Sequence, residues 1–198
     1  MITAEGIWVS AAGRWVLQGV SLSVGRGEIG AVTGANGSGK SLLARALAGT
    51  LPVSRGRVRV DGGKVGYLPQ LGGLYDYLTV IENLHFAASV ASVPWRARRK
   101  VCGDLLELVG LNGSGHVDVA RLTPGQRQRL CLARTLAGDP GVLVLDEPLT
   151  GLDSEGQGEI RHLLAELAGM GKTILVLAAS LDGVPAGRTW TLKGGEVA

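Results

Sequence analysis

Residues 34–41 constrain the fold of this chain more than any other part of its sequence. They read GANGSGKS and fit the pattern G-x-x-x-x-G-K-[ST]. They follow a short apolar run at residues 28–34 and precede residues 38–48, where leucine and alanine recur at helical spacing. In a strand–loop–helix context, such glycines let successive backbone N–H groups surround phosphate oxygens, and the helix N-terminus adds positive potential. The sequence therefore predicts a phosphate-binding loop.

Each chemical task of such a loop has a residue here. Lys40 is placed to reach the β and γ phosphates of a nucleotide, and the Ser41 hydroxyl is placed to ligate magnesium. The residues that we expect to contact the nucleotide are Gly34, Asn36, Gly37, Ser38, Gly39, Lys40 and Ser41.

The run VLVLDEP at residues 142–148 supplies a second element. Its apolar residues predict a buried strand with Asp146 at its carboxyl end, where ligands of open α/β sheets gather. Asp146 is expected to hold Mg²⁺ through water. Glu147 follows directly and is well placed to accept a proton from water attacking the γ phosphate. The alternative interpretation is an exposed acidic turn.

Composition excludes several classes of protein. The chain has 198 residues, of which 45% are apolar and 19% charged, as expected for one domain with a packed core. The longest apolar run has six residues, at 174–179, and the N-terminus lacks a signal-like core, so we expect neither a membrane span nor secretion. Cys102 and Cys131 lack metal or redox spacing, which favours free thiols in a reducing cytosol.

The order of elements predicts a mostly parallel, three-layer α/β core with an N-terminal β-region. Residues 7–24 are rich in β-formers, and residues 57–62 and 64–69 suggest another strand pair. A helical insertion is expected over residues 79–111, with a break near Pro94. Three further segments predict a helix at 124–137, a helix at 154–168 and a strand at 173–178.

These motifs, in this order, make the chain resemble the nucleotide-binding subunit of ABC transporters, of a short single-cassette type. Gln70 in GYLPQ matches the family's Q-loop glutamine, and residues 122–126, LTPGQ, resemble its LSGGQ signature. Residues 151–153, GLD, resemble its D-loop. The resemblance implies a P-loop NTPase fold in which residues 1–70 and 139–198 form the core. It implies a helical subdomain at residues 71–138 that includes the signature helix.

The resemblance also implies site residues, ligands and partners. The ligands are ATP and Mg²⁺; Glu147 and Gln70 are catalytic, and Ser41, Gln70 and Asp146 serve the metal. Family members dimerise head to tail, so that each ATP lies between one chain's phosphate loop and the other's signature. Thr123, Gly125 and Gln126 are the expected signature contacts. The helical insertion is expected to dock on a transmembrane permease.

The chain departs from the family at two positions. Pro124 stands where the signature usually has glycine, which removes one backbone N–H, although proline suits a first helical turn. Ala179 is the best match to a histidine that usually contacts the γ phosphate, and His85, His116 and His162 lie elsewhere in the sequence. These departures imply weaker signature contact and slow hydrolysis.

Two interpretations of the aromatic residue that stacks on adenine remain open. Trp15 lies near the expected place and Trp8 is the other candidate; packing on the sheet is the alternative for each. Residues 96–100 include four basic residues, most simply a solvated helix face.

The leading functional hypothesis is an ATPase, peripheral on the cytoplasmic face of the membrane, that drives a separate permease as a homo- or heterodimer. The alternative is a degenerate subunit that hydrolyses little and completes a competent partner's site. A DNA-repair or ribosome-associated ATPase would show a coiled-coil insertion or tandem cassettes, so nucleic acid is not an expected partner.

Overall fold

The computed structural model describes residues 1–61 and 63–198 and contains two β-sheets and a set of α-helices. The N-terminal strands are β1 (Ile2–Ala11) and β2 (Arg14–Val24), and a short 3-10 helix spans Val119–Arg121. The other strands are β3 (Ile29–Thr33), β4 (Arg55–Val60), β5 (Val65–Leu68), β6 (Val142–Asp146), β7 (Thr173–Ala178), β8 (Arg188–Lys193) and β9 (Glu196–Val197). The helices are α1 (Lys40–Leu47), α2 (Val80–Val90), α3 (Trp95–Leu108), α4 (Pro124–Leu136) and α5 (Ser154–Gly169).

The six-stranded sheet has the order β5-β6-β7-β3-β8-β9 and is parallel except for β9, which runs antiparallel to β8. The second sheet is antiparallel, with the order β2-β1-β4. These sheets, with the helical segment α2–α4 inserted between β5 and β6, confirm the predicted α/β fold with an N-terminal antiparallel region.

Hydrophobic residues pack on both faces of the six-stranded sheet, since β6 and β7 are buried throughout. Leu143 and Leu145 of β6 face one core with residues of α2–α5, whereas Val142 and Val144 face a second core with α1 and the three-stranded sheet. Successive residues of β6 therefore face opposite layers, because side chains alternate in direction along a β-strand. Because β3 and β6 both run parallel to β7 between them, their carboxyl ends lie at the same edge of the sheet.

One expectation needs correction, and two strands were missed. The predicted pairing of residues 57–62 with residues 64–69 is wrong: β4 joins β1 in the antiparallel sheet, while β5 pairs in parallel with β6. Gly62, between these strands, lies outside the described residues. The strands β8 and β9 were not predicted, although β8 lies beside β3 and completes the sheet around the phosphate loop. Within the described residues, none of the helices combines the length and apolarity needed to cross a membrane.

Candidate nucleotide-binding site

The phosphate loop connects β3 to α1, and its backbone requires glycine at two positions. A Cβ atom on Gly34 would lie 2.5 Å from the carbonyl oxygen of Leu192, and Gly39 adopts a φ of +104° before the first helical residue. No side chain caps the N-terminus of α1, which leaves its first-turn N–H groups available to an anion. The backbone is therefore arranged to receive a phosphate group.

Lys40 is the charged group at the centre of this loop. Its side chain is 6% exposed, and its Nζ donates to the carbonyl oxygens of Gly34 at 2.8 Å and Ala35 at 3.3 Å. The same atom lies 3.4 Å from Oε1 of Glu147. Because an ammonium has three N–H donors, it can exchange loop carbonyls for phosphate oxygens without leaving its position.

Asp146, the last residue of β6, is buried beside the loop, at 2% exposure. Burial raises the pKa of its carboxyl; the Ser41 side chain and Lys40 act in the opposite direction, while the Glu147 carboxylate adds to the rise. Its Oδ1 atom has no hydrogen-bond partner among residues 1–61 and 63–198. A buried carboxylate oxygen without a partner is a costly arrangement that a bound cation relieves.

This donor set fits Mg²⁺ accompanied by a nucleotide. Across the described part of the chain, no three His, Cys, Asp or Glu side chains come together as a metal cluster. Mg²⁺ commonly uses one or two protein oxygens and takes its remaining ligands from water and substrate phosphates. The Ser41 hydroxyl and the Asp146 carboxylate are the protein oxygens available for that role.

Glu147 is held in an unusual backbone conformation, with φ of +53°. Its N–H donates to the carbonyl oxygen of Leu177 at 2.7 Å, and its Oε2 accepts a hydrogen bond from the Thr150 hydroxyl at 3.0 Å. Such strain persists only where surrounding contacts enforce it and is common at functional sites. Thr150 was not predicted, but its position three residues after Glu147 was a usable signal.

One surface cavity of about 370 Å³ unites the groups suited to the γ phosphate. Lys40 and Ser41 line it together with Gln70, which follows β5, and Glu147, which follows β6. The parallel pairing of β5 with β6 explains this meeting, because their carboxyl ends lie at the same edge. Four side chains predicted from three separate motifs thus line a single cavity.

An adjoining cavity of about 630 Å³ continues from the phosphate loop to the two sheets. It is lined by Trp15, by residues 34–38 and by residues 191–195 of the β8–β9 hairpin. Trp15 is 43% exposed, whereas Trp8 is half-buried and does not line this cavity. The hairpin was missed in the sequence, although the alternation in TWTLK before Gly194 and Gly195 was a signal for it.

The signature segment begins α4 through reciprocal capping. The Thr123 hydroxyl accepts a hydrogen bond from the Gln126 N–H at 3.2 Å, and Gln126 Oε1 accepts one from the Thr123 N–H at 3.0 Å. Pro124 occupies the first turn, where its missing N–H breaks no helical hydrogen bond. Both Thr123 and Gly125 line a cavity of about 400 Å³ with residues 151–153.

That signature cavity shares no lining residue with the two cavities at the phosphate loop. The fold therefore brings the signature next to the predicted D-loop and leaves both apart from Lys40 and Glu147. Gln126 does not line the signature cavity; its side-chain oxygen accepts the capping hydrogen bond from the Thr123 N–H.

Helix α4 also contacts the loops that carry the other motif residues. Gln128 Nε2 donates to the carbonyl oxygen of Pro148, the residue after Glu147, at 2.8 Å. Arg134 donates to the carbonyl oxygen of Gly73, and Arg127 pairs with Asp76 at 2.6 Å, both in the segment after Gln70. One helix thus connects the segment at residues 122–126 to the loops after Gln70 and after Glu147, which line the same cavity.

The position matched to the family histidine carries no polar side chain. Ala179 is exposed directly after β7, and its carbonyl oxygen accepts a hydrogen bond from the Thr33 hydroxyl at 3.2 Å. His85 lies in α2, His116 lies in the segment before the signature and His162 lies on an exposed face of α5. None of the three lines either cavity at the phosphate loop.

Comparison with known proteins agrees with this geometry. The family model described as ABC transporter matches residues 17–150. The chain is 39% identical over 174 residues to the taurine import ATP-binding protein TauB of Burkholderia pseudomallei, covering 84% of this chain and 67% of that protein. It is 37% identical over 188 residues to the Fe(3+) ions import ATP-binding protein FbpC of Streptomyces coelicolor, covering 89% of this chain and 54% of that one. The chain thus spans about two thirds and about half of these relatives.

A solved structure extends the similarity to the whole chain. The ATP-binding cassette MJ0796, determined as a dimer in a post-hydrolysis state bound to ADP and Pi, superposes with a TM-score of 0.87 at 26% identity. The superposition covers 100% of this chain and 96% of that one. With the family model matching more than half of its length, this chain belongs to the ABC transporter family as an ATP-binding subunit.

Proposed function

We propose that this chain hydrolyses ATP with Mg²⁺ as part of a dimer and thereby drives a separate membrane permease. The observation that carries the proposal is the division of its motifs between separate cavities. Lys40, Ser41, Gln70 and Glu147 line one cavity, whereas Thr123 and Gly125 line another that shares no residue with it. A head-to-tail dimer would bring each signature to the partner's phosphate loop. The dimeric MJ0796 cassette supports this arrangement.

The chemistry follows from the positions of the side chains. The backbone of the phosphate loop and Lys40 hold the β and γ phosphates and offset the charge that develops during phosphoryl transfer. Glu147 accepts a proton from the attacking water, whose oxygen bonds to the γ phosphorus as the bond to ADP breaks. When bound, Mg²⁺ neutralises charge on the phosphate oxygens; Ser41 and Asp146 would hold it, with Gln70 at the same cavity.

Trp15 is our candidate for the adenine contact in preference to Trp8. It is the tryptophan that lines the cavity continuing from the phosphate loop. Its exposed ring offers the flat apolar face on which a nucleotide base stacks.

The helical subdomain, residues 71–138, is proposed to dock on the permease. Large apolar side chains are exposed on this segment, including Leu71 at 95%, Tyr77 at 81% and Trp95 at 73%. Exposed apolar groups of this size are typical of surfaces that a partner covers. The rest of the chain, residues 1–70 and 139–198, would form the nucleotide-binding core, peripheral on the cytoplasmic face of the membrane.

Ala179 and Pro124 favour a second candidate function, a degenerate subunit with slow hydrolysis. A methyl group cannot donate the hydrogen bond that the family histidine makes, and Pro124 has no N–H for a phosphate oxygen. Such a subunit would bind ATP and lend Thr123 and Gly125 to a competent partner ATPase.

Isolation of the tagged chain from detergent-solubilised membranes with Mg-ATP tests the transport proposal. We expect a polytopic membrane protein to be retained, and Lys40→Met, which should bind ATP poorly, to reduce ATP-dependent retention. Recovery of nucleic acid without a membrane protein would contradict transport.

Turnover measurements separate the two candidates. Hydrolysis by the chain alone, or with its permease, supports the ATPase; hydrolysis that appears only with a second co-isolated ATPase supports the degenerate subunit. Introducing Ala179→His provides a direct check, since a restored hydrogen-bond donor should increase slow turnover. An unchanged rate would show that the residue at position 179 does not limit the rate of ATP hydrolysis.

A further inference from the structure

We propose that Arg55, acting with Trp8, positions Trp15 as the base platform of the nucleotide site. This inference rests on the proposed ATP function and assigns a positioning role to a residue outside every motif described above. The three side chains form a cluster on the antiparallel sheet, which we call the Trp–Arg cluster: Trp8, Trp15 and Arg55.

The strand register explains how these residues meet. In the order β2-β1-β4, Trp15 pairs with Ser10 of β1, and Trp8 pairs with Arg55 of β4. Trp8 and Ser10 are two residues apart on the same strand and therefore lie on the same face. The register shifts between the pairs Val9–Leu17 and Ser10–Trp15, and across this irregularity Trp15 is a diagonal cross-strand neighbour of Trp8, within reach of an aromatic ring. The cluster spans the three strands in a row.

The contacts within the cluster restrict the ring of Trp15. Its centroid lies 5.4 Å from that of Trp8, with an interplanar angle of 82°, an edge-to-face arrangement. The Arg55 guanidinium carbon lies 5.4 Å from the Trp15 centroid and 5.8 Å from the Trp8 centroid. Both distances are within the range of a cation–π interaction.

Arg55 differs from its neighbours on β4 in what it contacts. Arg57 and Arg59 pair with Glu5, with closest separations of 2.5 Å and 3.9 Å. Within residues 1–61 and 63–198, Arg55 has no carboxylate partner, and its charge lies against the two tryptophan rings. The contacts that hold the Arg55 guanidinium in position are therefore those with the two tryptophan rings.

This cluster meets the nucleotide site through Trp15, whose ring lines the cavity next to residues 34–38 of the phosphate loop. A partly exposed tryptophan that is free to rotate would lose conformational entropy when a base stacks on it. Fixing the ring in advance removes part of that cost and increases affinity for the base without adding a contact to the phosphates. Arg55 should therefore act on base binding alone.

The test compares two ligands that differ by the nucleoside. Dissociation constants for Mg-ATP and for Mg-tripolyphosphate are measured with the full chain by calorimetry, since tripolyphosphate engages the phosphate loop without a base. We expect Arg55→Met to weaken ATP binding by about 2- to 5-fold, the range of an exposed cation–π contact, and to leave tripolyphosphate binding unchanged. Trp15→Ala should weaken ATP binding by at least about 5-fold.

Arg57→Met is the matched control. It removes an arginine from the same strand that contacts Glu5 instead of the tryptophans, so we expect both ligands to bind as in the original chain. Tryptophan fluorescence adds a readout that a general loss of stability would not produce. ATP should quench the fluorescence of Arg55→Met less than that of the original chain, while the melting temperature stays unchanged.

The outcomes separate this inference from the proposed function. Equal ATP affinity in Arg55→Met and the original chain, or an equal loss for both ligands, would overturn the role of Arg55. If neither ligand binds the original chain, the ATP function itself fails.

Discussion

Replacing Glu147 by glutamine tests the hydrolytic chemistry most directly. The exchange keeps the size of the side chain and an oxygen that can accept the Thr150 hydrogen bond, now 3.0 Å long. It removes the carboxylate that would take the proton of the attacking water. General-base catalysis contributes about 10²- to 10⁴-fold to a rate, or about 3 to 5 kcal/mol of activation free energy. We expect kcat to fall by that factor.

The geometry around Lys40 predicts a different response for ATP binding. At 3.4 Å, the Lys40–Glu147 attraction is about 5 kcal/mol with an effective dielectric constant of about 20, before desolvation is subtracted. Glutamine releases Lys40 from this partner and removes a negative charge beside the γ-phosphate position. The dissociation constant for ATP should therefore stay the same or decrease. Since Lys40 keeps its two loop carbonyls, we expect a melting temperature within about 4 °C of the original.

Phosphate release and calorimetric ATP binding measure these two effects, with the permease or partner ATPase present if turnover requires it. Glu166→Gln is the control, because Glu166 lies on the exposed face of α5 and pairs with His162. Turnover in Glu147→Gln within tenfold of the original chain would refute the assignment of Glu147 as the proton acceptor. If Glu147→Gln lost both ATP binding and turnover, the assignment of Glu147 to the chemical step and not to ATP binding would be refuted.

Three further predictions concern the buried carboxylate of Asp146 and the N-terminus of helix α4. Burial raises the pKa of folded Asp146, so its ionised form opposes folding; Asp146→Asn should make the nucleotide-free protein more stable at pH 7. This gain in stability should shrink as the pH falls through the raised pKa of Asp146 and vanish below pH about 4. In calorimetry, the same variant should show less Mg²⁺-dependent affinity for ATP. Thr123→Ala should lower the free energy of unfolding by about 1 kcal/mol through loss of its cap and weaken ATP-dependent dimerisation. The control Thr79→Ala removes the equivalent cap of α2 and should affect stability alone in thermal melts. Pro124→Gly should cost roughly 0.4–1 kcal/mol of stability, yet strengthen ATP-dependent dimerisation in sedimentation by restoring an N–H donor.

Local patterns in the sequence were sufficient to predict the phosphate loop and the strand that ends at Asp146. The spacing of glycine, lysine and serine at residues 34–41 and the apolar run at 142–145 each describe a short segment with a strong backbone preference. The order of strands and helices then predicted a parallel core, because parallel strands require long crossover connections.

Strand pairing was harder to predict from the sequence, since it depends on residues far apart in the chain. β4 and β5 are adjacent in sequence but belong to different sheets, and β8 completes the core sheet beside β3. No local spacing specifies such a choice, because it follows from which apolar faces can be buried together.

For function, the amino-acid sequence is enough to name the chemical groups present, including Lys40, Glu147 and the methyl group at Ala179. The folded chain determines which of these groups meet: Gln70 joins Glu147 at one cavity, and Thr123 and Gly125 line another. It also determines that Arg55 lies over Trp15, two residues forty positions apart. Side-chain chemistry is a local property, whereas distances across a site are set by the burial and pairing of whole strands.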